Sequence, residues 1–369
     1  MSTATTQRTF VRSDLLLIGG SAAAAILAGV SHYADWVGWL SFVLSVIAVG
    51  LLAALVGRAV EQLGDRFGPG ATGVLQSALG NLPELFICLF ALKAGLVEVV
   101  QAALIGSILS NLLLVLGLAF LVGGLKHGTQ SIDSGRARNI SVLMLVATIA
   151  MIFPTVTARI SDHATGGGAG GHEQALSIIA AVVLLALFIL SLPASLRKEG
   201  STDVPGEDAP PEHEAPRWPI WLAVGMLAAA GLLAAFVSDW FVDALTPAME
   251  SFHITDTFAG LVIVAIAGNA IENFVGLQLA AKNQSEYAFQ TIINSPLQIA
   301  LVLAPLLVIL SGLLGFTALT LVFPLALVVA VFVSVVIAIV ITVDGESNWM
   351  EGAALVGVYV VIAASFWWG

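Results

Sequence analysis

Eleven apolar runs, each near the twenty or so residues that an α-helix needs to cross a hydrocarbon layer about 30 Å thick, dominate the sequence. They cover approximately residues 15–31, 36–56, 72–92, 99–121, 139–157, 174–194, 218–238, 258–281, 287–311, 316–342 and 352–368. The runs are continuous rather than alternating, which excludes a β-barrel, and helices are then the remaining way to satisfy backbone groups in lipid. The expected fold is an all-α polytopic membrane protein with eleven spans. Its charges are few, 10% of residues against roughly a quarter in a soluble domain, and 35 of the 37 (13 basic, 24 acidic) fall between the runs. The exceptions are Glu84 and Glu272.

Threading eleven spans from a cytoplasmic N-terminus places Arg8, Arg12, Arg58, Arg66, Lys126, Arg136, Arg138, Arg197, Lys198, Arg217 and Lys282 inside, leaving only Lys93 and Arg159 outside. That partition follows the positive-inside rule and predicts a multi-pass protein of the inner (plasma) membrane, N-terminus in and C-terminus out. Arg8 and Arg12 precede the first run as in a secretory signal, but Ser31-His32-Tyr33-Ala34-Asp35 lacks a small-residue cleavage site, so the run is kept as a span. Cys88, the one cysteine, can form no internal disulfide.

The expected organisation is a tail and extra helix over 1–35, a first half over 36–195, an acidic cytoplasmic linker over 196–216 and a second half over 217–369. The linker carries Glu199, Asp203, Glu207, Asp208, Glu212 and Glu214 among prolines, too polar to bury a core of its own. The halves repeat one another. Gly80-Asn81-Leu82-Pro83-Glu84 and Gly268-Asn269-Ala270-Ile271-Glu272 lie 188 positions apart, and the same offset relates Ser107 to Ser295. The repeat segments run over 72–124 and 257–312. Each half has five spans, so they are inverted in the membrane, an arrangement that lets secondary transporters alternate access around one midplane site.

The chemistry of that site follows from its residues. An acidic group at the bilayer centre costs roughly 3 kcal/mol on insertion scales, so a recurring pair implies function. Pro83 and the glycines Gly80 and Gly268 predict breaks in the helices beside the glutamates. Asn81 with Glu84, and Asn269 with Glu272, are three apart and share a helix face. From the following spans come Ser107, Ser110 and Asn111 in the first half, and Ser295 and Gln298 in the second. These are oxygen donors, and no His lies in any span, which favours a hard cation such as Ca2+ over Zn2+ or Cu+. An empty pair of buried carboxylates readily takes up protons and a bound dication expels them, so one pair of glutamates can couple Ca2+ to H+. No cofactor and no nucleic-acid partner is expected; the partners are membrane lipid and the transported ions. An intramembrane metalloenzyme would need a second His near His172-Glu173-Gln174, and a channel would pass current without proton exchange.

At these residues the sequence resembles the cation/calcium exchanger superfamily, and within it the bacterial proton/calcium exchangers. The segments GNLPELFICLFALKAG with IGSILSNLLLVLG, and GNAIENFVGLQLAAKN with NSPLQIALVLAPLLV, look like its two repeats. The resemblance implies that Glu84 and Glu272 carry both cation and proton, with Asn81, Asn269, Ser107 and Ser295 lining the site. Sodium-coupled relatives usually have an acidic residue where this chain has Ile299, so a Na+(K+)/H+ or Na+/Ca2+ exchanger is the alternative and Ca2+/H+ exchange the favoured reading. Leu82-Pro83, Ala270-Ile271, Asn273 and Asn294 depart from the plant and fungal pattern.

Overall fold

The computed structural model describes residues 9–34, 36–64, 75, 79–165, 172–197 and 216–367. Its helices are α1 (Arg12–Tyr33), α2 (Gly38–Gly64), α3 (Leu82–Lys93), α4 (Val97–His127), α5 (Ser134–Thr165), α6 (Glu173–Arg197), α7 (Ile220–Phe252), α8 (Asp256–Gly268), α9 (Ala270–Ala281), α10 (Ser285–Leu313), α11 (Leu325–Thr342) and α12 (Trp349–Trp367). Among the described residues nine helices are long and apolar enough to cross a membrane, and α8 with α9, bent by 62° at their junction, makes a tenth crossing if counted together. The third predicted span is described only at Leu75 and from Leu79 onward, so the expected count of eleven rests partly outside the described residues. Most of the linker lies outside them too, as do residues 166–171 and Trp368.

Large apolar side chains such as Leu16, Leu190 and Trp221 point outward, where lipid replaces water as their surroundings. Small residues mediate the closest helix contacts, because tight approach is what drives helix association once the hydrophobic effect between spans is lost. Gly106 of α4 abuts the backbone of Leu261 in α8, and Gly260 of α8 abuts that of Val99. Gly117 of α4 faces Gly352 of α12 in the same way. α2 runs along α7, with α1 packed against both. At one end of this layer the fully buried Asp14 carboxylate takes Arg58 Nε at 3.1 Å and Arg217 Nη2 at 3.4 Å, and Gln62 Oε1 accepts from the backbone of Arg217 and Trp218.

The 188-residue offset reappears in the backbone. α3 and α9 are twelve-residue helices at that offset, and the next helices begin at Val97 and Ser285, again 188 apart. Both α4 and α10 widen into a turn of π-helix, over Ser110–Val115 and Ile299–Leu303. The preceding breaks match as well: Asn81 (φ −91°, ψ 17°) and Asn269 (φ −103°, ψ 17°) both leave helical geometry just before α3 and α9.

One expectation is corrected. The tenth predicted span, 316–342, is helical only from Leu325. Before Pro324 the chain is non-helical, with Leu319, Leu321 and Phe323 buried and their N–H groups bonded to Ser311, Ser177 and Thr155 hydroxyls. The segment is apolar because helices cover it, and its alternation of buried residues marks extended rather than helical backbone. Pro83 sits in the first turn of α3, directly after the break at Asn81, where its missing N–H has no intrahelical partner to lose. A short antiparallel pairing joins β1 (Gln130–Ser131) to β2 (Glu346–Ser347).

Candidate functional site

The breaks at Asn81 and Asn269 start α3 and α9 inside the helix packing, so that Glu84 and Glu272 fall in first turns. Glu84 is fully buried and Glu272 partly so. Gly268, the last residue of α8, lies against Glu84: a Cβ there would come within 3.2 Å of the Glu84 Cγ. The missing side chain at this glycine leaves room for the first half's own glutamate.

A hydrogen-bond network built from both halves surrounds Glu84. Ser107 Oγ donates to Glu84 Oε1 at 2.5 Å, and Asn269 Nδ2 donates to Ser107 Oγ at 2.9 Å and to the Ala265 carbonyl at 2.9 Å. Ser295 Oγ donates to Asn269 Oδ1 at 3.0 Å. Asn111 Nδ2 reaches the Ser107 carbonyl, Asn269 Oδ1 and Ser295 Oγ at 2.9, 3.2 and 3.3 Å. On the other side Asn81 Nδ2 donates to Gln298 Oε1 at 3.4 Å. Each break asparagine is thus bonded to the opposite half: Asn269 to Ser107 and Asn111, Asn81 to Gln298.

Two acceptor atoms in this network have no partner, Glu84 Oε2 and Asn111 Oδ1. Buried polar atoms are rarely left so, and here both are oxygens, the donor type that hard cations take. The Glu272 carboxylate makes none of the network's bonds. Ser110, expected beside Asn111, does not join either: its hydroxyl is buried and unbonded. Gly80 and Pro83 flank the break at Asn81. Asn111 is more central than its sequence position suggested, since it joins Ser107, Asn269 and Ser295. A functional candidate absent from the sequence reading is Tyr359 of α12, buried with its hydroxyl unbonded; a lone phenol inside the last apolar run was the available signal.

Comparisons with known proteins agree over most of the chain. The family model for sodium/calcium exchanger protein matches residues 37–196 and 222–368. The chain is 36% identical over 357 residues to the Ca(2+)/H(+) antiporter ChaA of Bacillus subtilis (strain 168), covering 96% of this chain and 99% of that one. It is 35% identical over 349 residues to a Ca(2+)/H(+) antiporter of Aphanothece halophytica, covering 91% and 92%. The solved structure of native YfkE superposes with a TM-score of 0.80 at 33% identity, covering 96% of this chain and 100% of that chain.

Proposed function

The chain belongs to the sodium/calcium exchanger protein family, and on that premise we propose that it is a secondary antiporter that exports Ca2+ from the cytoplasm in exchange for protons. The observation that carries this reading is the unpartnered Oε2 of fully buried Glu84 inside a network drawn from both halves. Glu84 and Glu272 bind Ca2+ or protons in competition. Asn81, Asn269, Ser107 and Ser295 line the site, with Asn111 and Gln298 holding the asparagines in place, and Gly80, Pro83 and Gly268 make room for the helix breaks.

The mechanism follows from electrostatics. Two carboxylates without a cation repel one another in a dry surrounding, so the empty site takes up protons; a dication placed between them displaces those protons. Two protons and one Ca2+ carry equal charge, so one load replaces the other without leaving net charge in the membrane interior. Because the network crosses between the halves, a shift of one half against the other breaks and remakes bonds at the site itself. Inverted halves then open it to each face in turn, with the N-terminus cytoplasmic and the C-terminus outside, as the distribution of basic residues supports.

A sodium-coupled exchanger is the alternative on this fold. The side chain of Ile299, buried in the wide turn of α10, has no oxygen where sodium-coupled relatives usually carry an acid, and the relatives are named for Ca2+ and H+. The deciding experiment is 45Ca2+ uptake into inverted vesicles. Uptake driven by a pH gradient, and unchanged by a Na+ gradient, is the expected result; uptake that follows Na+ and ignores pH overturns the reading.

A further inference from the structure

The two helices that carry the site's serines, α4 and α10, meet there directly: Asn111 Nδ2 of α4 lies 3.3 Å from Ser295 Oγ of α10. Each is continuous, α4 over Val97–His127 and α10 over Ser285–Leu313, so whatever holds one end of either helix also holds its site residues. The 188-residue offset carries the connection that leaves α4, residues 128–133, onto residues 316–321 of the connection that leaves α10. The start of each site helix grips the connection that leaves the other.

Near the start of α4, Gln101 is 6% exposed, and its Nε2 donates to two carbonyls of the segment after α10, Thr320 at 3.1 Å and Val322 at 2.9 Å. At the start of α10, Ser285 Oγ donates to the Ser131 carbonyl at 2.9 Å. The buried Glu286 carboxylate accepts from the Asp133 backbone N–H at 2.8 Å and from Arg136 Nη1 at 3.1 Å. Gln290, one turn along α10, adds a further donor to Glu286 at 2.5 Å. Burying a carboxylate is costly without such donors, and bonds assisted by charge are stronger than neutral ones. The residue at the 188 offset from Glu286 is Glu98, which is exposed; Gln101, one turn further along α4, supplies the grip at that end.

We propose that Gln101 and Glu286 are positioning residues for the cation site: by clasping α4 and α10 together at both ends, they set the spacing at which Ser107 and Asn111 face Ser295. The inference rests on the antiport reading. Each residue acts through its helix, Gln101 six residues before Ser107 and Glu286 nine before Ser295. At a rise of about 1.5 Å per residue these are spans of about 9 and 14 Å, so a helix released at its clasp tilts at the site as well. A tilt that lengthens the contact of Asn111 with Ser295 also disturbs Asn269, whose Oδ1 accepts from both. Groups that orient metal ligands without touching the ion commonly contribute about 10–100-fold to affinity.

Glu286→Gln and Gln101→Met keep side-chain length, the first removing the charge and the second both donors. In proteoliposomes under a fixed pH gradient, each is expected to raise the Ca2+ concentration for half-maximal 45Ca2+ uptake about tenfold. The maximal rate is expected to stay within about twofold, the pattern of lost binding rather than lost turnover. A purely structural role would lower Tm and leave half-saturation alone, as expected of Asp14→Asn. Because Glu286 acts through Ser295, adding Glu286→Gln to Ser295→Ala is expected to weaken Ca2+ by no more than about twofold further. If Glu286→Gln does not fold, Ser285→Ala removes one bond of the same clasp and takes its place. Wild-type half-saturation in either clasp variant overturns the role of that residue, and a full tenfold loss on top of Ser295→Ala overturns action through the helix. Wild-type protein whose uptake ignores the pH gradient overturns the antiport reading instead.

Discussion

Asn269, at the break before α9, donates to Ser107 of α4 at 2.9 Å, and Ser107 spends its own proton on Glu84 at 2.5 Å. A residue of the second half thereby fixes the donor direction of the hydroxyl that serves the first half's glutamate. Asn269→Ala removes this donor and leaves Ser295 and Asn111 without their shared acceptor. Lost hydrogen bonds of this kind cost about 1–3 kcal/mol each, so Ca2+ uptake is expected to fall at least about tenfold. Initial rates of 45Ca2+ uptake measure it; a wild-type rate would mean that the network is only scaffolding.

Glu84→Gln and Glu272→Gln each keep side-chain volume and remove one negative charge. Both are expected to abolish pH-driven Ca2+ uptake without loss of folded protein. The check is uptake paired with the size-exclusion profile of each purified variant, and retained transport in either one contradicts the carrier role of that residue.

Competition between protons and Ca2+ fixes the sign of the pH effect. Lowering the pH fills the carboxylates with protons and weakens Ca2+ binding; raising it strengthens binding, by up to about 100-fold per pH unit if two protons leave for each ion. Calorimetric titration in buffers of different ionisation enthalpy counts the released protons directly. A Ca2+ affinity that does not move with pH excludes the shared site.

Asp14 is buried between Arg58 and Arg217, which bring together α1, α2 and the approach to α7. Asp14→Asn leaves two guanidinium groups facing an amide. Breaking a buried pair costs about 3–5 kcal/mol, but both arginines retain some solvent contact, so about 2 kcal/mol is the better expectation. A lowered Tm in detergent, with Ca2+ affinity intact, is the expected readout; an unchanged Tm would show that the pair adds nothing to stability.

Two glycine substitutions have opposite expected outcomes. A Cβ at Gly106 runs into the backbone of Leu261, which cannot rotate away, whereas Gly357 has open space around it. Gly106→Ala is expected to destabilise by about 1–3 kcal/mol, and Gly357→Ala to be neutral or to stabilise by up to about 1 kcal/mol. Thermal unfolding of the two variants compares them directly.

Much of the site was legible because its residues violate the surroundings that a membrane imposes. Glu84 and Glu272 stand out in apolar runs, and the offset that relates them also picks out Asn81, Asn269, Ser107 and Ser295. The offset reports equivalence, however, and not contact. Asn81 and Asn269 are equivalent, yet one bonds Gln298 and the other bonds Ser107 and Asn111, pairings that only the packed helices reveal. The wide turns of α4 and α10 leave no mark in hydropathy, so the separation of Ser110 from Asn111 was hidden. Residues 316–324 were read as helix because apolarity records what surrounds a residue, whereas backbone conformation here is set by Pro324 and by hydroxyls from α5, α6 and α10. Asp14 and its arginines were legible only as loop charges.

The paired backbone contacts of Gly106 with Leu261 and of Gly260 with Val99 have a bearing on how the molecule is made. Synthesis reaches Gly106 long before Gly260, 154 residues later in the chain. Until α8 emerges, the glycine surface of α4 faces lipid or a provisional neighbour, and this backbone-to-backbone fit cannot form. That contact therefore forms only after the first half has been made, and a ribosome that stalls before α8 leaves a chain with the glycine surface of α4 unmatched.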